Sequence, residues 1–564
     1  MKVVIIGGVA GGATAAARLR RLNERAEIVI FERSGYISYA NCGLPYYIGG
    51  VIEDAHELTL QTPESFYSRF RIDVKVRHEV TEIHPERKTV SVRNLETGAE
   101  FEEGYDKLIL SPGARPTRPP MADGAPETLF TLRTVEDTLR IRNYIDENHP
   151  RSVVLAGGGF IGLELAENLR ELGMEVTIVQ SQKQLMTPFD ADMASLIHNE
   201  MRRNGVRLAL GHFVEGFEKD GSGLKVLLQD GSSLSADMAI LAIGVTPDTE
   251  LAKRAGLKLG IRGSILVNDR METSVPDIYA AGDAVSIKNF VTREDALISL
   301  AGPANRQARI IADNICGRDS RYHGAQASSV IKVFDMTAAS TGLSETHAKA
   351  AGLQADTVIL SPMSHAGYYP GGKLMTMKVV FEKETFRLLG AQIIGYEGTD
   401  KRIDVIATAI RAGMKATDLA DLDLAYAPPY SSAKDPVNMA GYLIENIANG
   451  LLRQWHLADA ESLPSDGSVT LLDVRTPEEY KAGHIDGFLN IPVDELRGRL
   501  REIEPGKPVY AICQSGLRSY LASRILEANG YEVYNFSGGY RFYDAAVNDR
   551  CLIESAFPCG MDRS

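Results

Sequence analysis

"RSVVLAGGGFIGLELAENLRELGMEVTIVQ", residues 151–180, decides the fold. An apolar run ends in Gly157, Gly159 and Gly162 at G-x-G-x-x-G spacing. A helix-like segment follows, and a second apolar run closes at Gln180. Strand, glycine turn, helix, strand is the order of a dinucleotide site. The amides at the helix N-terminus take the pyrophosphate, and a residue at the end of the second strand reaches the ribose. That residue is usually acidic. Gln180 can still hydrogen-bond a ribose hydroxyl, and it repels a 2′-phosphate less than a glutamate would. A nicotinamide nucleotide is expected here, with NADH favoured over NADPH.

The same order opens the chain. "KVVII" (2–6) runs into "GGVAGG" (7–12), then a helix-like segment, then "AEIVIFE" (26–32), which ends at Glu32. Val9 takes the place of the middle glycine. Two such turns imply two nucleotides. "TSVPDIYAAGD" (273–283) fits T-x-x-x-x-I-Y-A-x-G-D, a strand delivering Gly282 and Asp283 to a loop where the carboxylate can bind a flavin ribityl chain. "YDKLILSPGARP" (105–116) and "MAILAIGVTPD" (238–248) read as strand-to-glycine crossings between the two nucleotide domains.

At 564 residues the chain is long enough for several folding units. Its net charge of −13 argues against a nucleic-acid surface. The five cysteines are odd in number and widely spaced, so no disulfide framework and no zinc spacing is read. Without signal-peptide anatomy or an apolar run of membrane-span length, a reducing cytoplasm is expected, with no membrane insertion.

Residues 1 to about 450 resemble the two-dinucleotide flavoprotein disulfide reductases. The resemblance implies FAD on the first turn, held by Gly7, Gly8, Ala10, Gly11, Gly12, Glu32, Arg33, Ser111, Gly113, Gly282 and Asp283. It implies NAD(P)H at Gly157, Gly159, Phe160, Gly162, Gln180 and Gly244, with Phe160 as a gate near the flavin face. The expected organisation is α/β. Residues 1–113 and 264–325 form an FAD domain and 114–263 an NAD(P)H domain, both Rossmann-like. An α+β dimerisation domain follows at 326–450, then a linker at 451–466 and an α/β domain at 467–564.

Within this resemblance "SYANCGLPYY" (38–47) stands out. The family usually carries C-x-x-x-x-C, but Tyr47 occupies the second position and Cys42 is alone. Its oxidised form then uses an external sulfur or an oxygen: a mixed disulfide, a persulfide or a sulfenic acid. The stretch resembles the coenzyme A disulfide reductases. Related single-cysteine oxidases and peroxidases carry a histidine in the first glycine turn, where this chain has Ala10. Coenzyme A is a polyanion, and Arg18 and Arg21 lie three apart on one helix face. Ser38, Asn41, Phe66 and Asn305 complete the contacts that the resemblance implies. "SHAGYYPGG" (364–372) and "LDLAYAPPYSSAKDP" (422–436) resemble the family's dimerisation loops. They imply a homodimer with shared active sites, in which Tyr368 and Tyr426 of the partner subunit approach Cys42.

The C-terminal part resembles a rhodanese: Asp473-Val474-Arg475, Gly483-His484-Ile485, the Cys513 loop and Ser537-Gly538-Gly539. "VYAI" delivers Cys513 to "QSGLRS", just before a helix. The sulfur would lie among backbone amides with Arg518 close by, and both stabilise a persulfide anion. Cys316 reads as a helix-end core thiol, and Cys551 and Cys559 lie in the tail.

A sulfane-sulfur carrier fused to a lone-cysteine reductase reads as an NAD(P)H-dependent reductase of CoA persulfide or polysulfide, and of CoA disulfide. The alternatives are a dedicated CoA disulfide reductase, an NADH peroxidase or oxidase, and a redox-sensing sulfurtransferase.

Overall fold

The computed structural model describes residues 1–554. The chain forms two compact units. One contains Met1–Lys183 and Gly205–Ala327; the other contains Gln184–Asn204 and the chain from Ser328 onward.

The first unit is built twice on one plan. Strand Lys2–Ile6 pairs in parallel with Glu27–Glu32 on one side and Lys107–Leu110 on the other, with Asp73–Val76 and Ile278–Ala280 at the edges. Strand Ser152–Ala156 sits between Glu175–Gln180 and Met238–Leu241, with Arg207–Leu210 and Leu129–Thr131 outside. Each copy carries a three-stranded antiparallel sheet just before a strand that pairs with its central one: His78–His84, Thr89–Asn94 and Glu100–Gly104 before Lys107–Leu110, and Val214–Asp220, Gly223–Leu228 and Ser233–Ala236 before Met238–Leu241. The central parallel strands are continuous runs of Val and Ile because both faces are covered; Val3, Val4 and Ile5 have no exposure. The third glycine of each turn permits close helix–strand approach. A Cβ on Gly12 would overlap the Gly7 carbonyl oxygen, and one on Gly162 that of Gly157.

The second unit holds an antiparallel sheet in the order Ser329–Val333, Met336–Gly342, Leu388–Gly395, Met375–Glu382, Ala355–Leu360. It also holds a parallel sheet in the order Gln454–Trp455, Val533–Phe536, Val509–Ile512, Thr470–Asp473, Leu489–Asn490. The expected linker at 451–466 is therefore corrected. Its Gln454–Trp455 is an edge strand of the last sheet, and Trp455 is buried against Phe536, Phe488 and Tyr510. A two-residue strand is too short to show an alternating pattern in sequence. Segment 184–204, nicotinamide domain by chain order, groups with this unit because buried Lys378 collects Asp190, Asp192 and Glu345 at 3.1, 2.8 and 2.9 Å. No helix among the described residues is long and apolar enough to cross a membrane.

Candidate active site

The two glycine turns present matching cradles. Glu32 accepts from the Gly8 N–H at 2.8 Å and from the Ser34 N–H at 2.9 Å. Gln180 accepts from the Gly158 N–H at 2.9 Å. The helices that follow, Ala10–Leu22 and Phe160–Glu171, have no side-chain cap and no acidic residue in the first turn, which leaves N-terminal amides for an anion. A Cβ at Gly159 would point into open space, the room a pyrophosphate needs, while Val9 fills the equivalent position at the first turn. Gly7 and Gly11 pack against Ser111, whose atoms a Cβ on either would overlap. Gly113 and Gly244, both at positive φ, precede the paired strands Ala114–Pro116 and Val245–Pro247. Arg33 pairs with Asp248 at 2.7 Å. These turns fit two dinucleotides.

Asp283 is brought in by the strand Ile278–Ala280 and is met by Arg133 at 2.7 Å. Sequence reasoning missed Arg133, because a single arginine in a loop carries no motif. Gln307 was also missed; its side-chain oxygen accepts the Gly282 N–H at 2.8 Å.

Cys42 lies in a single 3₁₀ turn, Asn41–Gly43, that leads into the short helix Leu44–Ile48, and its side chain is exposed. Ser38 sits at φ 46° and donates its N–H to the Gly8 carbonyl at 2.8 Å, so the cysteine loop is tied to the first glycine turn. The helix Leu44–Ile48 packs on Phe160–Glu171, and Gly49 is pressed against the Asn168 side chain. That packing makes Glu164 a neighbour of the thiol. Partial burial pushes the Cys42 thiol up; the Glu164 and Asp283 carboxylates add to the shift and Arg133 opposes it. Burial, then Glu167, lifts the Glu164 carboxyl to about 7.

Among the residues expected to contact coenzyme A, Arg18 and Asn305 belong to one packed helix pair, Ala10–Leu22 against Ala301–Ile315. Thr14 Oγ1 donates to Asn305 Oδ1 at 2.6 Å, and Arg18 donates to Asp313 at 2.8 and 3.0 Å. Arg18 is thus not an uncommitted cation; Arg21, one turn on, is exposed. Phe66 lies in the core cluster of the first unit. It is 3% exposed, edge-on to Phe70 in the core, because its helix Pro63–Phe70 turns that face inward.

In the second unit, Tyr368 and Tyr426 meet with their hydroxyls 2.6 Å apart, and both rings are exposed. Its hydrogen bond with Tyr368 pushes the Tyr426 phenol up. Their loops are joined by buried Arg402, which the sequence did not reveal. It reaches the Ser364 carbonyl at 3.0 Å, the Tyr430 carbonyl at 3.2 Å, Ser431 Oγ at 3.1 Å and Asp435 at 3.0 Å. A cavity of about 510 Å³ opens beside Tyr426, lined in part by His365, Glu397 and Lys401.

Cys513 ends the strand Val509–Ile512 and is fully buried. Its Sγ receives the Gly516 N–H at 3.1 Å and the Ser519 hydroxyl at 3.2 Å. Gly539, at positive φ, packs its backbone against residues 514–515, where a Cβ would overlap them. The Arg518 guanidinium is gripped at both ends by Glu479, each contact at 2.7 Å, and this pair draws the Glu479 carboxyl down to about 2. Arg475 is likewise committed to Asp473 at 2.6 Å and to the Gly483 carbonyl at 2.7 Å, beneath the Tyr540 ring. Cys316 caps a helix end beside the core, Cys551 is exposed, and Cys559 lies outside the described residues.

Residues 1–308 match the family model described as pyridine nucleotide-disulphide oxidoreductase, 328–436 the dimerisation domain of the same family, and 456–546 the rhodanese-like domain. The coenzyme A disulfide reductase of Staphylococcus aureus (strain JH9) is 38% identical over 442 residues, 78% of this chain and 99% of the relative. The solved structure of reduced Bacillus anthracis CoADR-RHD superposes with a TM-score of 0.95 at 49% identity, covering 97% of this chain and 98% of that one. A NAD-dependent persulfide reductase from A. fulgidus superposes at 0.90 with 38% identity, covering 96% of this chain and 100% of that one.

Proposed function

The chain belongs to the pyridine nucleotide-disulphide oxidoreductases, flavin-dependent enzymes that use NAD(P)H, and carries a rhodanese-like domain; on that premise we propose that it reduces the sulfur–sulfur bond of coenzyme A persulfide or polysulfide, and of coenzyme A disulfide, through Cys42. The observation that carries the reading is the unpaired Cys42 in the loop beside the first glycine turn. Cys42 heads the loop tied to the first glycine turn, and Tyr47 stands where a second cysteine would close an internal disulfide. A single thiolate at that place takes its second sulfur from the substrate.

Bound FAD would supply the electron pair, drawn from NAD(P)H, with NADH favoured. The protein's residues do the rest. The Cys42 thiolate attacks the inner sulfur of coenzyme A persulfide, hydrosulfide leaves with the electron pair, and a Cys42–coenzyme A mixed disulfide forms. Two electrons then split that bond, returning the Cys42 thiolate and releasing coenzyme A. In a homodimer, Tyr368 and Tyr426 of the partner subunit would approach the sulfur and protonate the departing thiolate. Arg18, Arg21, Ser38, Asn41 and Asn305 would hold coenzyme A, with Arg18 sharing its charge with Asp313. Cys513 would accept sulfane sulfur from polysulfide and pass it on.

Anaerobic NADH oxidation and sulfide release, followed with coenzyme A persulfide, coenzyme A disulfide, polysulfide and peroxide, test the reading. Cys42→Ser abolishes every reduction. Cys513→Ser slows only those that begin from external sulfane sulfur. Persulfide turnover at wild-type rate in Cys42→Ser would refute the mechanism.

A further inference from the structure

The Cys513 loop carries one arginine, and that arginine is spent. Both ends of the Arg518 fork bind Glu479, at 2.7 Å each. The arginine beneath the loop is spent as well: Arg475 donates to Asp473, to the Gly483 carbonyl and to the Gln514 side chain. A bidentate guanidinium–carboxylate pair satisfies the fork geometry that would otherwise take a sulfonate or phosphate oxygen pair. An oxyanion arriving here would have to displace Glu479 or lie against its charge. The sulfur itself needs neither arginine, since Gly516 N–H and Ser519 Oγ already donate to it.

We propose that Glu479 is a specificity-determining residue of the Cys513 site: by occupying Arg518 it turns away oxyanion sulfur donors such as thiosulfate and leaves the loop to donors that present only sulfur, polysulfides and organic persulfides. This rests on the reading of Cys513 as a sulfur carrier. In the transfer, the Cys513 thiolate attacks the outer sulfur of the donor. A new S–S bond forms, the donor's own S–S bond breaks, and the electron pair leaves on the donor as a thiolate, or as sulfite from thiosulfate. An acceptor such as cyanide then takes the outer sulfur as thiocyanate, and the pair returns to Cys513 as thiolate. The acceptor supplies the electron pair that the outer sulfur takes, so no external oxidant or reductant is consumed.

Glu479 also caps the helix Pro477–Ala482, accepting the Thr476 N–H at 2.9 Å. Glutamine keeps that cap, so Glu479→Gln removes the charge without removing the turn. The experiment measures Cys513-dependent thiocyanate formation by the full-length protein from thiosulfate and from inorganic polysulfide, with Cys513→Ser as the blank. Wild type is expected to prefer polysulfide. In Glu479→Gln the ratio of kcat/KM for thiosulfate over polysulfide rises about tenfold, the value of one freed charge-assisted contact. In Glu479→Gln/Arg518→Ala that gain disappears. An unchanged ratio in Glu479→Gln, thiosulfate used as well as polysulfide by wild type, or a gain that survives loss of Arg518 would each overturn the proposal. Polysulfide transfer undiminished in Cys513→Ser would instead overturn the sulfur-carrier reading on which it stands.

Discussion

Gln180 accepts a 2.9 Å hydrogen bond from the backbone N–H of Gly158, the same bond that Glu32 accepts from Gly8 in the other half of the first unit. The two nucleotide turns differ here by one charge. A carboxylate beside an adenosine ribose takes the 2′-hydroxyl and repels a 2′-phosphate, whereas an amide does only the first. Gln180→Glu keeps the acceptor and adds the charge. It should lower kcat/KM for NADPH by about tenfold relative to NADH, consistent with ~1.4 kcal/mol of added repulsion. Steady-state kinetics with both coenzymes checks this, and an unchanged ratio would show that this strand end does not face the 2′ position.

Glu164 sets the pH behaviour of the cysteine loop. Its carboxyl titrates at about 7, so it is an anion by the time Cys42 ionises, and it holds the thiol's proton on together with Asp283 against the pull of Arg133. Glu164→Gln removes one of the two opposing carboxylates. The pH midpoint for alkylation of Cys42 by iodoacetamide should fall, while the part due to burial stays. Stability follows with the opposite sense of ordinary carboxylates. A raised folded-state pKa gives stability that is present below the unfolded value and lost as pH rises through about 7. Glu164→Gln should therefore flatten the decline in melting temperature across that interval.

Gly49 is one contact through which the cysteine loop rests on the helix Phe160–Glu171. A Cβ there would run into the Asn168 side chain, which is buried and fixed by its own bond to the Glu164 carbonyl at 2.8 Å. Gly49→Ala cannot be absorbed by a rotamer change. It should cost about 1–3 kcal/mol of stability, as overpacking does, and displace Cys42 enough to slow NADH-dependent disulfide reduction. Thermal unfolding and turnover of the same preparation test both parts.

Arg402 fixes the two tyrosine loops with one guanidinium. Lysine offers no planar fork, so Arg402→Lys leaves the Ser364 and Tyr430 carbonyls and Asp435 without a shared donor. Lysine keeps the charge opposite Asp435, so the cost should stay below the ~3–5 kcal/mol of removing one partner of a buried pair outright. The melting temperature should drop. If the Tyr368–Tyr426 pair supplies the proton to departing thiolate, kcat should fall more than KM changes. Loss of stability with kcat intact would separate the loop's structure from its chemistry.

Much of this architecture was legible because it rests on short-range patterns. Both glycine turns, the lone Cys42 and the Cys513 loop are set by neighbours within a dozen residues, where strand and helix periods meet glycines that no other residue can replace. What stayed hidden was long-range. Arg133 finds Asp283 across 150 positions and Glu479 finds Arg518 across 39. Arg402 serves loops on either side of it. None of these side chains differs in sequence from a solvated charge, and only folding shows which are buried and which partner each meets. The burial of Phe66 was equally hidden, because a single aromatic on an eight-residue helix does not show in sequence which face turns inward.

The longest-range case is Asp549, on the last described helix, Tyr540–Glu554. His198, on Ala191–Arg203, accepts the Leu185 N–H at Nε2 at 2.9 Å, so its proton is on Nδ1 and is donated to Asp549 at 2.7 Å. Arg202 binds the other oxygen at 2.5 Å. Asp549 is 3% exposed and His198 1%, so neither can turn to water. Asp549→Ala strips the acceptor from a buried imidazole N–H and from a guanidinium, and should cost about 3–5 kcal/mol locally. Asp549→Asn, which keeps one acceptor oxygen, should cost less. Amide hydrogen exchange resolves the two: protection within 540–554 should fall by about a hundredfold or more in Asp549→Ala, since ~2.7 kcal/mol corresponds to that factor. The strands of the antiparallel sheet should exchange as before. If protection is lost equally throughout the second unit, the clamp is part of one cooperative core; if it does not change, the helix is held by its apolar face alone.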